Sequence, residues 1–270
     1  MTAPDVAATF RPRSGTELID AGFVLARPYY PRLMALAAVA LAPAILINFG
    51  LAVYGGANAQ ARHWAWVLVI ATAANAIAEA ALVAALDDAY HGRVVDVAAA
   101  LRRALARIGT VVSTGIATSV IIMFGLFLLL IPGIIWFTGL FAVPAVVVLE
   151  GKGFSASLMR SSDLARGNRR RILLSLGLTL LVIIALQSAL QLLFGGFMGT
   201  RNPVLTTLVT NAFAIVAAPI SAAVLTMAYY DARIRGEGYD IEVMAGQLRA
   251  SSGAAAATRD IGGLEPRPGA

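Results

Sequence analysis

The sequence predicts an all-α polytopic membrane protein, with six transmembrane helices arranged as three hairpins, each preceded by an amphipathic surface helix. Composition is the first reason: 59% of the 270 residues are hydrophobic and 13% charged, with a mean hydropathy of +0.78, whereas soluble domains carry about 25% charge. The second is the uncharged run over 108–149. A bilayer core of roughly 30 Å takes about 20 helical residues, so this run is two spans, folded back at Pro132-Gly133. The third is an internal echo. Leu25-Ala26-Arg27, Leu105-Ala106-Arg107 and Leu164-Ala165-Arg166 each stand just before a pair of apolar runs, marking three units.

In chain order, residues 1–13 read as disordered, 14–245 as the membrane domain, and 246–270, rich in Ala, Ser, Gly and Pro, as a disordered tail. Ser14-Gly-Thr-Glu17 has capping-box spacing. Leu18, Ile19, Gly22, Phe23, Leu25 and Ala26 follow as the apolar face of a surface helix that Arg27-Pro28 stops. Span 1, about 33–54, carries Pro43 as a kink. This run exceeds the usual 7–15 residues of a secretory h-region, so no signal peptide is expected; cleavage after Ala57-Asn58-Ala59 is the alternative. Trp64 and Trp66, with His63 beside them, form an interfacial belt, and span 2, about 64–86, is alanine-rich and suited to close packing.

Asp96 caps the second amphipathic helix, 96–107, with Val97, Leu101, Ala104, Leu105 and Ile108 as its apolar stripe. Spans 3 and 4 are the uncharged hairpin. Span 4 is short and contains Pro144, which leaves a re-entrant hairpin open as an alternative. The third amphipathic piece, 154–166, ends at Arg166-Gly167, and Asn168 starts span 5, about 172–194. A Gly-rich turn at 195–203 leads to span 6, about 205–229, with Pro219 inside it.

The net charge of +6 and pI near 10.2 do not indicate nucleic acid. The basic residues cluster at the ends of apolar runs, where they meet anionic headgroups. Of the 21 lysines and arginines, 19 fall on the termini and the two long connectors; Arg62 and Arg201 are the exceptions. By the positive-inside rule both termini and both connectors are cytoplasmic.

Little in the sequence suggests catalysis. Without cysteine there is no thiolate chemistry, and His63 and His91 are assigned to opposite faces, so no histidine metal site or triad assembles. No GxxxxGK[ST] loop is present, and Gly151-Lys-Gly153 lacks the third glycine of a dinucleotide loop. No catalytic residue, metal or cofactor is expected. The sharpest signal is Glu79, the only acid inside a span, with Asn75 one turn before it. Intramembrane acids usually face a bundle interior or a water path; a protonated or hydrogen-bonded Glu that fastens span 2 to a neighbour is the preferred reading over a proton or substrate role. Lys152, Arg160, Arg166, Arg169, Arg170 and Arg171 are candidate contacts for anionic lipid or a partner protein, or simply a topology anchor. Tyr230, Asp231, Arg233, Arg235 and Glu237 are candidates for a folded cytoplasmic cap, with Gly236 and Gly238 permitting a reversal.

Leu130-Ile-Pro-Gly133, Val143-Pro-Ala-Val-Val-Val-Leu-Glu150-Gly, residues 156–171, and Tyr229-Tyr-Asp-Ala-Arg-Ile-Arg-Gly-Glu-Gly-Tyr-Asp240 together resemble the bacterial family named after the membrane domain of glycerophosphoryl diester phosphodiesterase. The 88–105 connector fits as well, so the likeness covers about residues 14–245, and the C-terminal motif is its most specific part. The resemblance implies a six-span integral membrane protein of undefined role. Some relatives carry a fused phosphodiesterase barrel, which needs about 250 residues of its own, so the family name implies no activity for this chain. The expected function is a non-catalytic scaffold or accessory protein of a bacterial inner membrane, offering its charged cytoplasmic face to lipid headgroups or to a membrane or cytoplasmic protein. The alternative is a small transporter or lipid flippase using Glu79 and the proline-kinked spans.

Overall fold

A computed structural model describes residues 13–54, 59–194 and 203–237, and every regular element among them is a helix. Six helices are long and apolar enough to cross a membrane: Gly15–Tyr54, Arg62–Tyr90, Ile108–Leu128, Leu130–Leu149, Arg169–Leu192 and Val204–Glu237. These six mark a multi-pass membrane protein. The expected disordered segments, the Asn58 loop, the turn at 195–202 and Gly238 onward lie outside the described residues. Residues 13–230 form one compact unit, and 231–237 belong to another.

Helix α1, Gly15–Ala26, opens with Ser14 as N-cap: Ser14 N donates to Glu17 Oε2 at 2.7 Å, and Glu17 N donates back to Ser14 Oγ at 3.3 Å. Arg27-Pro28 does not stop the chain, as the sequence suggests. One 3-10 turn, Arg27–Tyr29, with Pro28 in its first turn, leads straight into α2, Tyr30–Tyr54. The missing proline N–H falls where α-helical bonding gives way to the 3-10 turn, and its fixed φ suits a helix. Of the apolar face read from the sequence, Leu18, Gly22 and Ala26 are buried and Phe23 is exposed. A Cβ on Gly22 would lie 3.0 Å from Val224 N and 3.2 Å from Ala223 C, so glycine here lets α1 touch the backbone of the last span.

Helix α3, Ala59–Tyr90, is the axis of the bundle. Residues 80–86 are each at most 1% exposed, so this stretch is enclosed on every side, which its alanine content permits. Leu33, Leu36, Val143, Val147, Ala222 and Ala223 belong to the same core. The helix runs four residues beyond the predicted end, through Asp87-Asp88, because arginines neutralise both acids. Gly92, at φ 68°, then turns the chain, with Arg93 N bonded to Asp88 O at 2.7 Å.

Asp96 caps α4, Val97–Leu105, through Ala98 N and Ala99 N at 2.8 and 3.3 Å. Its buried positions are Ala100 and Ala104; Leu105 and Ile108, on the apolar stripe read from the sequence, are 42% and 47% exposed. The uncharged run folds into α5, Ile108–Leu128, α6, Leu130–Gly139, and α7, Val143–Leu149. The reversal falls at Leu129, in extended conformation, and not at Pro132-Gly133. Pro132 lies in the first turn of α6, where its absent N–H would have had no helical partner. Gly133 serves packing instead: a Cβ there would overlap Leu126, and one on Gly125 would approach Gly133 Cα to 2.9 Å.

After Gly151 come α8, Phe154–Ala165, α9, Arg169–Ile172, a π-helical stretch, Leu173–Gly177, α10, Leu178–Leu192, and α11, Pro203–Glu237. Span 5 therefore starts at the arginine cluster, three residues earlier than expected, and contains a π turn that the sequence does not announce. In α8 Ser157 and Ser161 are fully buried, so this helix is packed into the protein.

Candidate functional site

Glu79 lies where the enclosed part of α3 ends, and three cavities meet at it. The first, about 390 Å³, is lined by α3, α5 and α7, including Asn75, Thr114, Thr118 and Ser119. The second, about 340 Å³, reaches α6, α10 and α11 through Phe137, Thr179 and Ser221. The third, about 290 Å³, lies between α3, α10 and α11 and includes Asn75, Gln187 and Ser221. Glu79 is the one ionisable residue in all three linings.

The polar groups of this chamber are incompletely used. Thr118 Oγ1 and Gln187 Nε2 are buried without a hydrogen-bond partner, and no hydrogen bond or ion pair holds the Glu79 carboxylate among the described residues. Asn75 faces the first and third cavities but donates back to Ala71 O at 2.8 Å, leaving its amide oxygen for the chamber. Thr118 and Gln187 escape a sequence reading because single neutral polar residues are common in spans. The four-residue spacing of Thr110, Thr114 and Thr118 is the one signal that marks a polar face on α5.

The wall of the chamber is built around a break in span 4. Between α6 and α7 the backbone unwinds over 140–142, and α8 repairs it: Ser161 Oγ donates to Gly139 O at 2.9 Å and accepts from Ala142 N at 3.0 Å. Broken helices persist at membrane depth only where freed backbone groups are satisfied by protein or line a cavity. Phe141, inside the break, and Pro144 just after it face the second cavity.

No family model, no curated protein and no solved structure matches this chain.

Charged pairs close the connector end of the bundle. Arg93 bridges two acids, Nε to Asp88 Oδ1 at 2.9 Å and Nη2 to Asp87 Oδ2 at 2.5 Å, and Arg103 also binds Asp88. Tyr230 donates to Asp87 and stacks on Tyr90, with ring centroids 4.1 Å apart. His91 Nδ1 lies 3.1 Å from Asp87 Oδ1, and this hydrogen bond raises the His91 pKa above the ordinary imidazole value. Tyr229 donates to Glu150 Oε1 at 3.1 Å, and Arg160 Nε donates to both Glu150 oxygens at 3.1 and 3.0 Å. Arg107 Nη1 donates to Gly151 O at 2.7 Å; Gly151 needs to be glycine, since φ is +69° and a Cβ would meet the Arg107 guanidinium at 2.7 Å.

The basic residues singled out by sequence divide accordingly. Arg160 is committed to Glu150, Lys152 Nζ lies 3.6 Å from the same carboxylate, and Arg171 donates to Asn168 at 3.0 Å. Arg166 makes an exposed pair with Asp163 at 3.1 Å. Arg169 and Arg170 are exposed and make no ion pair among the described residues. The candidate cap residues Asp231, Arg233, Arg235 and Glu237 continue helix α11, and Gly236 is helical too. Arg235 pairs with Asp231 at 3.0 Å and Arg233 with Glu237 at 3.2 Å, each one turn apart.

Proposed function

We propose that this chain is a small solute carrier of a bacterial cytoplasmic membrane, using Glu79 to bind and pass a proton or a small cation. The convergence of three cavities on one unpaired intramembrane carboxylate carries the reading. Such a carboxylate at mid-depth is too costly to leave ionised and alone; it is neutralised by a proton or by a bound cation. The broken span beside it supports the same reading, because broken helices near the midplane line solute sites in carriers. A six-span arrangement of three hairpins, each with its amphipathic lead-in, suits the order of helices. The arginine-rich connectors favour cytoplasmic termini. Membership of the glycerophosphoryl diester phosphodiesterase membrane-domain family is part of the proposal, on the motifs quoted above.

The test is reconstitution in liposomes with an imposed pH gradient and a trapped pH-sensitive dye. Dissipation well above that of empty liposomes, lost in Glu79→Gln while the melting temperature is kept, is the expected result. Equal dissipation by the wild type and Glu79→Gln would overturn it.

A second reading, the scaffold, rests on a different observation. Arg27, Arg32, Arg102, Arg169 and Arg170 are exposed and make no ion pair among the described residues, unlike Arg93, Arg103 and Arg160. Such a surface suits anionic headgroups or an acidic partner protein. Native mass spectrometry after mild solubilisation tests it. Retained phosphatidylglycerol or a stoichiometric acidic protein, lost when Arg169 and Arg170 become Gln, would favour it.

A further inference from the structure

A separate polar cavity of about 270 Å³ lies between α2, α10 and α11, lined by Asn48, Gln191, Thr206, Thr207, Thr210 and Asn211. Thr206 and Tyr230 are separated along α11 by about 36 Å at 1.5 Å per residue, so this cavity is remote from the charged pairs at Tyr230. Among the described residues every lining side chain is an amide or a hydroxyl, and none is charged or aliphatic.

Except at Thr206, these side chains make no hydrogen bond among the described residues. Thr114, Thr138, Thr179 and Thr226 each donate to the carbonyl four residues back, at 2.6 to 3.0 Å, the common resting place of a threonine in an apolar helix. Thr207 and Thr210 do not, and among the described residues no hydrogen bond joins the side chains of Asn48, Gln191, Thr207, Thr210 and Asn211. Asn211 Nδ2 is buried without an acceptor. A buried amide nitrogen normally finds a partner; that of Asn211 faces a space instead. That space equals roughly nine waters' share of liquid volume at about 30 Å³ each, which suits a molecule of monosaccharide size.

We propose that this cavity binds an uncharged polyhydroxyl compound of about monosaccharide size. Amides and threonine hydroxyls both donate and accept, as the hydroxyl groups of such a ligand do. A charged ligand would lose hydration without meeting a counter-charge, and an apolar one would leave the amides unpaired. Gln187, one turn from Gln191 on α10, lines the Glu79 chamber, so the cavity stands at one approach to it. The binding itself does not depend on transport.

The ligand has two sources, a free solute or a glycolipid headgroup, and the experiment separates them. Protein labelled with 15N in its Asn and Gln side chains is placed in phosphatidylcholine nanodiscs and titrated with glucose and with myo-inositol. A second preparation contains glucosyl diacylglycerol in the bilayer. Saturable shifts of the Asn211 and Gln191 amide signals with either free compound identify a solute, and shifts only with the glycolipid identify a headgroup; both support the site. Gluconate and glucosamine should bind at least about tenfold more weakly. Asn211→Leu, and independently Thr210→Val, should weaken binding about tenfold, the loss of one to two net hydrogen bonds, without lowering the melting temperature. Absence of shifts with all three neutral ligands, or equal binding of the charged analogues, would overturn the proposal. Glu79→Gln separates the two ideas: binding retained with proton flux absent from the wild type sinks the carrier and keeps this site, and flux without binding does the reverse.

Discussion

Tyr230 donates its hydroxyl hydrogen to Asp87, a residue 143 positions earlier, and so ties the end of the second span to the last one. The ring of Tyr230 lies flat on Tyr90, at an interplanar angle of 9°. The acid it reaches is already held by Arg93 and His91. A hydrogen bond to a charged group is worth about 1.5–3 kcal/mol. Tyr230→Phe should therefore destabilise the protein by about 1–2 kcal/mol while keeping the stack, measured by thermal melting in detergent. Tyr54→Phe, at a site 89% exposed, is the control and should melt like the wild type.

The same cluster predicts a pH dependence. Hydrogen bonding to Asp87 raises the folded-state pKa of His91; burial and the nearby Arg93 charge act against it. A raised histidine pKa contributes stability fully below the unfolded value of about 6.5, and that contribution is lost as pH rises through the folded pKa. The wild type should lose melting temperature between pH 6 and pH 8 relative to His91→Gln. Parallel curves for the two proteins would refute the assignment.

Ser161 holds both sides of the broken fourth span, and its residue is fully buried. Ser161→Ala leaves Gly139 O and Ala142 N–H without that partner, at about 1–3 kcal/mol for a buried group left unsatisfied. A loss near 2 kcal/mol is expected, with faster hydrogen exchange at Ala142. Exchange unchanged from the wild type would show that the break is held by something else.

Gly22 allows α1 to rest on the backbone of the last span. Backbone atoms at 3.0 and 3.2 Å cannot swing aside as a side chain would, so Gly22→Val should cost about 2 kcal/mol or more through overpacking. Gly50→Ala, with nothing within 4 Å of the added atom, should be neutral or slightly stabilising. A cysteine at Leu18, 1% exposed on the packed face of α1, should gain access to thiol reagent in the Gly22→Val background if α1 lifts away.

The proposed orientation is checked with single cysteines and a membrane-impermeant thiol reagent, since the sequence contains no cysteine. Met159, 69% exposed on α8, should be protected in intact cells and labelled after lysis. A cysteine at His63 should be labelled in intact cells. The opposite pattern would invert the topology.

The sequence alone determined the helical class and the six apolar helices, because a bilayer forces each crossing segment to satisfy its own backbone with local bonds, and its length follows from thickness. It also marked the helix starts at Ser14 and Asp96, whose side chains accept from backbone N–H donors within three residues. Glu79 stood out by composition, as the single acid among apolar neighbours. What surrounds it did not: Thr118, Gln187 and Ser221 come from three other helices, and no local pattern brings them together. The reversal at Leu129 rather than Pro132-Gly133 was likewise decided by packing, where Gly125 and Gly133 let the two arms touch. Ser161 reads as a polar residue on a surface helix until the gap it fills, twenty residues upstream, is seen. Only the tertiary structure could decide these features, because they are satisfied by partners distant in sequence, and the chemistry of each partner is ordinary until the fold sets it beside a broken helix or a buried acid.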